Sequence, residues 1–247
     1  MTGKLISLQC RMELLRILRN PYFIFWSLVM PIAFYYIFTR VVNTGAGDPG
    51  AYQARYLMSM TTFSVMGSAI MTLGIRLVQE QSLGWSTLMK VVPLPASIYF
   101  LGKMFGQTLL LLLSIAVIFS AGVLINDVQL QAWQWISSGV WILAASAPFL
   151  AIGTLIGTMK RVDTASGVSN GIYLVLALLG GMWMPLEMLP SFLQSIGKWL
   201  PSYHFASGGW AITEGSLPEL QSVLILTGYL VLFMVISTYV RHKQQAV

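Results

Sequence analysis

The sequence contains very little charge. Only 9% of its 247 residues are Asp, Glu, Lys or Arg, whereas soluble domains carry about 25%. Hydrophobic residues make up 56% of the chain, and the mean hydropathy is +0.74. A soluble fold of this length could not cover its core with so few charged side chains, so the composition indicates an integral membrane protein.

Cysteine, histidine and nucleotide-binding motifs are equally scarce. The single cysteine, Cys10, excludes a disulfide framework within the chain. The only histidines, His204 and His242, are predicted on opposite sides of the membrane, and we expect no metal site and no catalytic residues on this chain. Since no G-x-x-x-x-G-K-[ST] occurs, we also expect no bound cofactor. Any uphill transport must therefore draw its energy from another subunit.

Six uncharged apolar runs of 18 to 25 residues are present instead. About 20 apolar residues cross the roughly 30 Å of hydrocarbon as a helix, and a helix satisfies its own backbone polar groups in lipid. We therefore predict an all-α polytopic membrane protein whose single membrane domain covers residues 1–247. The six transmembrane helices are predicted at residues 22–39, 56–75, 104–125, 135–159, 165–184 and 223–240.

The distribution of Lys and Arg predicts the orientation. Six spans put both termini on one side, and eleven of the fourteen basic residues fall on that side. The remaining three are Arg40, Arg55 and Lys198. By the positive-inside rule both termini are cytoplasmic, in a multi-pass protein of the plasma (inner) membrane. This asymmetry explains the pI of about 9.6, so we expect no nucleic-acid partner.

Residues 4–20 predict an amphipathic helix before the first span. Gln9, Glu13, Arg16 and Asn20 follow helical spacing along one polar stripe, and apolar residues cover much of the rest. Such a helix would lie in the cytoplasmic interface in contact with membrane lipid. The alternative is a cytoplasmic tail without a special role.

Two further segments interrupt the apolar pattern. Residues 79–97 contain one carboxylate, Glu80, and predict a short cytoplasmic helix over 80–91 that ends before Pro93. Such a helix can dock into a groove of another protein, with Glu80 among its polar contacts, although a plain polar turn is the alternative. Residues 185–205 are too short to span and form an apolar stripe punctuated by proline, which predicts a re-entrant or interfacial segment at the outer side.

Three stretches together resemble the membrane subunits of ABC exporters that have a six-helix type 2 permease domain. They are "RNPYFIFWSLVMPIAFYYIF" at 19–38, "EQSLGWSTLMKVVPLPASIYFLGK" at 80–103 and "GGMWMPLEMLPSFLQSIGKWLPSYHF" at 180–205. The first resembles a basic interfacial helix followed by a span with a central proline. The order and spacing of all three carry the resemblance, which extends over essentially the whole chain.

The resemblance implies a role for each segment. By this resemblance, residues 79–97 are the coupling segment, which sits in a cleft of the ATPase. The residues assigned to this coupling are Glu80, Gly84, Leu88, Lys90 and Pro93. Residues 185–205 become an outer lid over the exit, although an interfacial anchor without gating is the alternative. The residues assigned to the lid are Pro185, Pro190, Trp199 and Pro201. Candidate residues of the translocation path are Phe34, Phe63, Met66, Tyr173 and Leu176.

The resemblance also implies partners. Two permease subunits, identical or related, would form a dimer around a central path, and each would dock one ABC ATPase that binds ATP and Mg²⁺. An uncharged lining containing aromatic residues and methionine suits export of an apolar or amphipathic cargo such as a drug, lipid or peptide. A different class is a non-transporting six-span sensor or scaffold, which would need no ATPase.

Overall fold

The computed structural model describes residues 7, 8, 10–12, 15, 21–42, 48–84 and 96–245. This part of the chain is helical and contains no strand. The predicted all-α class is therefore confirmed. The helices are α1 Pro21–Tyr36, α2 Pro49–Gly67, α3 Leu73–Ser82, α4 Ala96–Asn126, α5 Ala132–Ala145, α6 Ala147–Ile156, α7 Val162–Leu179, α8 Ser191–Gly197, α9 Pro201–Thr213 and α10 Leu220–Gln245.

Five helical stretches are long and apolar enough to cross a membrane. They are Pro49–Ser82, Ile98–Asn126, Ala132–Ile156, Val162–Leu179 and Leu220–Gln244. A shorter apolar helix, Ser27–Val41, comes from the first predicted span. The protein is thus polytopic with about five candidate spans, and the six-span count stays a prediction.

The second span is much longer than its apolar run. It begins at Pro49, where the Asp48 carboxylate accepts a hydrogen bond from the Gly50 amide at 2.9 Å, and it continues to Ser82. These 34 residues extend over about 51 Å, more than the hydrocarbon thickness. Composition confined the prediction to 56–75 because Arg76 and Glu80 are charged, but helical hydrogen bonding does not stop where apolar residues do.

A proline explains the other main difference between the predicted and the observed helices. The predicted span 135–159 is two helices, α5 and α6, separated at Ser146. Pro148 lies in the first turn of α6 and has no N–H to donate to the preceding turn, so the chain ends one helix and begins another there. Pro31, in contrast, is accommodated inside α1.

The helix formed by residues 49–82 lies at the centre of the bundle. In its most apolar window 78% of the residues are buried, compared with 22% for α7 and 11% for α10. Glycines let the neighbours approach closely: a Cβ on Gly153 of α6 would lie 2.3 Å from the Ala69 carbonyl oxygen. The outer faces of α7 and α10 are therefore largely exposed.

Cross-links between helices identify the two ends of the bundle. At one end, which we call the lid end, Gln134 donates to the Ile212 carbonyl at 3.0 Å and Tyr56 donates to the Trp183 carbonyl at 3.3 Å. At the opposite end, the coupling end, Gln81 donates to the Gly157 carbonyl at 2.7 Å. The ends of the long central helix are therefore anchored to different sets of neighbours.

Residues 185–205 contain three short helices, at Leu186–Met188, α8 and the start of α9. Pro185 and Pro190 each precede a helix, and Pro201 is the first residue of α9. Proline suits these positions because a first-turn residue has no intrahelical acceptor to bond. Of the predicted interfacial helix at 4–20, residues 7, 8, 10–12 and 15 are described, and they are helical.

Candidate functional site

A buried ion pair closes the coupling end. The Lys103 Nζ of α4 lies 2.6 Å from Oε1 of Glu80 on α3, and the Tyr99 hydroxyl donates to Oε2 of the same carboxylate. Tyr99 and Lys103 are four residues apart, so both lie on the face of α4 that meets α3. The Glu80 and Lys103 side chains are only 4% and 1% exposed. A buried charge needs a partner of this kind because it has lost its hydration.

This geometry differs from the expected exposed position of Glu80. We predicted that its carboxylate would be offered to an ATPase, but the structure directs it into the bundle, towards a lysine 23 positions away in the sequence. The coupling function of the segment stays a prediction. Leu88, Lys90 and Pro93 lie outside the described residues.

Gly84 ends the central helix in a left-handed conformation. Its φ is +71°, and the preceding Leu83 amide donates to the Gln79 carbonyl at 3.0 Å. Glycine is favoured at such a helix end because it has no Cβ to clash with the carbonyl. Leu83 and Gly84 are exposed, so the chain enters the coupling segment at the surface, directly after the turn that holds Glu80.

A cavity of about 640 Å³ lies between α1, the central helix and α7. Three of the predicted path residues, Phe34, Phe63 and Tyr173, line it together with Trp183, and their role in a path stays a prediction. The Phe63 and Tyr173 rings stack with centroids 4.7 Å apart, while Trp183 stands edge-on to Phe63 at 5.6 Å. We call this space the aromatic cavity.

The other two predicted path residues lie elsewhere. Met66 is fully buried in the core, on a part of the central helix that faces away from the stripe Phe63, Ser64, Gly67 and Met71. Leu176 lines a separate cavity of about 410 Å³ between α6, α7 and α10. Apolarity alone could not distinguish these two residues from cavity-lining ones, since methionine and leucine pack equally well in a core.

Small and polar residues complete the aromatic cavity and were missed. Ser64 donates to the Ser27 carbonyl at 3.1 Å, and the exposed Asn170 lies at the rim on α7. A Cβ on Gly67 would be 2.8 Å from the Tyr173 ring, so glycine makes room for that ring. No charged side chain appears among the described lining residues. The available signal was the helical spacing of Ser64, Gly67 and Ser68.

The predicted lid begins at the aromatic cavity. Trp183 fills part of the cavity two residues before Pro185, and its carbonyl is held by Tyr56. Further along, Phe192 and Trp199 are 71% and 68% exposed, which gives the segment an apolar outer surface. The Trp199 carbonyl accepts a hydrogen bond from Tyr229 of α10 at 3.3 Å. The arrangement suits contact with lipid, since tryptophan is enriched at membrane interfaces.

His204 connects the same region to the last helix. Its Nδ1 lies 3.0 Å from the hydroxyl oxygen of Ser222, which is in the first turn of α10. Burial lowers the pKa of His204 below its ordinary value, because the imidazolium form would lose its hydration.

We expect acidification to loosen this connection. Below about pH 6.5 His204 is protonated in the unfolded chain but still largely neutral in the folded chain. Unfolding therefore takes up protons, and stability falls as the pH drops. The melting temperature should therefore fall between about pH 7.5 and 5.5, and His204→Gln should reduce this fall. The exposed His242→Gln is the control. An undiminished fall in His204→Gln would contradict the assignment.

Among the described residues, no group of three or more His, Cys, Asp and Glu is placed to hold a metal ion. The two features that stand out chemically are the neutral aromatic cavity and the buried ion pair at the coupling end. One helix, residues 49–82, contributes to both.

Comparison with known proteins gives two findings. The family model described as ABC-2 type transporter matches residues 5–212. The chain is also similar to a Bacillus subtilis (strain 168) protein named "Putative transport permease YvfS", with 57% identity over 235 residues that cover 95% of this chain and 96% of that protein. Both matches include the aromatic cavity and the coupling end.

Proposed function

Because the chain belongs to the ABC-2 type transporter family, a family of membrane transport components, we propose that it is the permease subunit of an ATP-driven exporter. A separate ABC ATPase energises it and binds the ATP and Mg²⁺. The protein itself is a multi-pass membrane protein. We further propose that it lies in the plasma membrane with both termini in the cytoplasm, as its Lys and Arg distribution predicts.

One observation carries the proposal: a single helical stretch joins the aromatic cavity to the coupling segment. Phe63, Ser64 and Gly67 line the cavity, and Glu80 and Gly84 follow on the same stretch. A movement imposed on the coupling segment therefore acts directly on the residues around the cargo. A chain that only sensed or anchored would not require this connection.

The coupling segment is the proposed contact with the ATPase. Within it Leu83 and Gly84 are exposed, and Leu88, Lys90 and Pro93 are the proposed contacts further along. Glu80 was first expected to contact the ATPase, but it is buried against Lys103, so we propose a different role for it. It holds α3 against α4, so that force on the segment reaches the bundle instead of bending one helix end.

The proposed cargo is apolar or amphipathic. The aromatic cavity offers ring faces, two methionines and a few hydroxyls, and its described lining carries no charge. Such a surface binds hydrophobic groups by burying them from water and contributes little to ionic recognition. Drugs, lipids and lipid-like peptides share this chemistry.

We propose that a second permease, identical or related, completes the path. The face of α7 beside the cavity exposes Gly167, Asn170 and Gly171, and a Cβ on either glycine would meet nothing within 4 Å. Small residues allow close helix contact in membranes, and an amide in the middle of a span is stabilised by a facing helix. The lid segment then lies where the two subunits would open towards the outside.

The test is association with a P-loop ATPase encoded beside this chain. Gly84→Pro should lower co-purification of that ATPase about tenfold, or about 1.4 kcal/mol, and abolish ATP-dependent export of a fluorescent apolar probe. Proline cannot adopt the φ of +71° found at Gly84.

Gly215→Pro is the matched control, since Gly215 has a φ of +85°, open surroundings and a position at the lid end. It should leave ATPase association unchanged. Equal association in both variants would remove the coupling segment from the proposal. A wild-type chain that neither binds the ATPase nor exports the probe would favour the sensor or scaffold reading.

A further inference from the structure

The long central helix is interrupted at one place. Between α2 and α3, residues Ser68–Thr72 form a π-helical turn in which hydrogen bonds close over five residues instead of four. Such a turn contains one extra residue and is weaker than a regular α-helical turn. It forms part of the cavity wall through Ser68 and Met71 and precedes the buried Glu80, so it lies where the cavity-lining part of the stretch meets the coupling end.

A side chain from α4 holds this turn. Gln107 Nε2 donates to the Ser68 carbonyl at 3.1 Å and lies 3.2 Å from the Ser68 hydroxyl oxygen. Gln107 is 1% exposed, so these bonds replace its hydration. The contact joins a backbone group of the turn to α4, which also carries Lys103 one helical turn away.

Two buried atoms at this turn have no partner in the described part of the structure. They are Gln107 Oε1 and Thr72 Oγ1. An unsatisfied buried polar atom costs about 1–3 kcal/mol. A rearranged turn could pair both atoms.

On the opposite side the turn packs closely against α6. Gly153 of α6 contacts the Ala69 carbonyl so closely that a Cβ would lie at 2.3 Å. Gly74, just after the turn, is also close to α6, where a Cβ would be 2.9 Å from the Ile156 side chain and 3.1 Å from the Gly153 carbonyl oxygen. Because almost nothing separates the Ala69 carbonyl oxygen from Gly153, a change in the turn directly changes its contact with α6.

From these contacts we infer that Ser68–Thr72 is the hinge of the permease, and that Gln107 is the positioning residue that stabilises its π-helical state. If this turn converted to α-helix, each of its hydrogen bonds would span four residues instead of five, and the turn would tighten. Even partial conversion would rotate α3 relative to α2 and shift it along its axis by up to about 1.5 Å. The inference rests on the proposed function, because the ATPase supplies the movement of α3.

The test measures distances between spin labels in the permease–ATPase complex. In a Cys10→Ser background one pair of labels is placed at Ala51 of α2 and Gln79 of α3, which are both exposed. The reference pair is Ala51 and the exposed Leu124 of α4. With a non-hydrolysable ATP analogue we expect the first distance to change by about 1–2 Å, close to the axial shift, and the reference distance to stay constant.

An unchanged distance from Ala51 to Gln79 in a complex that binds ATP and exports its probe would overturn the hinge. Failure of the complex to form would instead count against the proposed function. The two failures are therefore distinguishable. The wild-type measurement decides the question even if a variant at the turn does not fold.

A second arm tests Gln107. Gln107→Leu keeps the volume and removes the donor to Ser68, so the nucleotide-free distance should shift towards the ATP-bound value. The control is Ser114→Ala on the same helix. Ser114 is equally buried, but its hydroxyl bonds only its own helix, at the Leu110 carbonyl. Wild-type distances in both nucleotide states of Gln107→Leu would contradict the role of Gln107.

Discussion

Glu80→Gln should lower the free energy of unfolding by about 3–5 kcal/mol, because it leaves the Lys103 ammonium buried without its counter-charge. The pair is separated by 2.6 Å and almost fully excluded from solvent. The measurement is denaturant unfolding in detergent micelles, followed by tryptophan fluorescence. Lys103→Met should also destabilise the protein, because the buried carboxylate loses its ammonium partner while the Tyr99 hydroxyl still donates to it.

The double variant separates a charge effect from a loss of shape. Glu80→Gln combined with Lys103→Met removes both charges and should recover most of the lost stability, since replacing a whole buried pair is often close to neutral. The control is Arg55→Gln. Arg55 lies 3.9 Å from Glu214 at the solvent-accessible lid end, and such a pair contributes about 1 kcal/mol or less. Additive losses in the double variant would show that the two charges do not stabilise each other.

Gly153→Ala should also destabilise the protein, although alanine is the better helix former by about 1 kcal/mol. The new methyl group would lie 2.3 Å from the Ala69 carbonyl oxygen. A backbone atom cannot move aside as a flexible side chain can, so α6 must separate from the central helix. Overpacking of this kind costs about 1–3 kcal/mol, and occasionally more. Because the contact includes the π-helical turn, export should fall as well.

Gly228→Ala is the control and should change the stability in the opposite direction. Gly228 lies in α10, is exposed, and a Cβ there meets nothing within 4 Å. Helix propensity alone then applies, and the melting temperature should rise slightly. If Gly153→Ala were as stable as Gly228→Ala, the close contact between α6 and the central helix would be wrong.

Local chemistry predicted a large part of this protein from its sequence. The lengths of the apolar runs indicated a polytopic helical bundle, and the resemblance in three stretches identified the family that the comparisons confirm. The prolines at 185, 190 and 201 mark the starts of the three short helices of the lid segment. These features depend on residues close together in the sequence, where hydropathy and the missing N–H of proline act directly.

Helix faces were harder to predict. Phe34, Phe63 and Tyr173 line one cavity, whereas Met66 and Leu176 face other neighbours; which of them line a path stays a prediction. An apolar side chain suits a cavity wall, the protein core or lipid almost equally well, so its hydropathy does not show which of these it faces. Which of these it meets depends on where the adjacent helices stand.

Tertiary structure alone decided the state of Glu80 and of the central helix. Glu80 appeared as an exposed contact because its nearest sequence neighbours are polar, but Lys103 and Tyr99 bring their polar groups to it from another helix. The π-helical turn at Ser68–Thr72 likewise has no marker in its own residues, since its Ser68 carbonyl is held by Gln107, 39 residues away. Composition and local propensity determine where helices form and whether they enter a membrane. The burial of a charge or the insertion of one extra residue depends on partners that only folding brings within hydrogen-bonding distance.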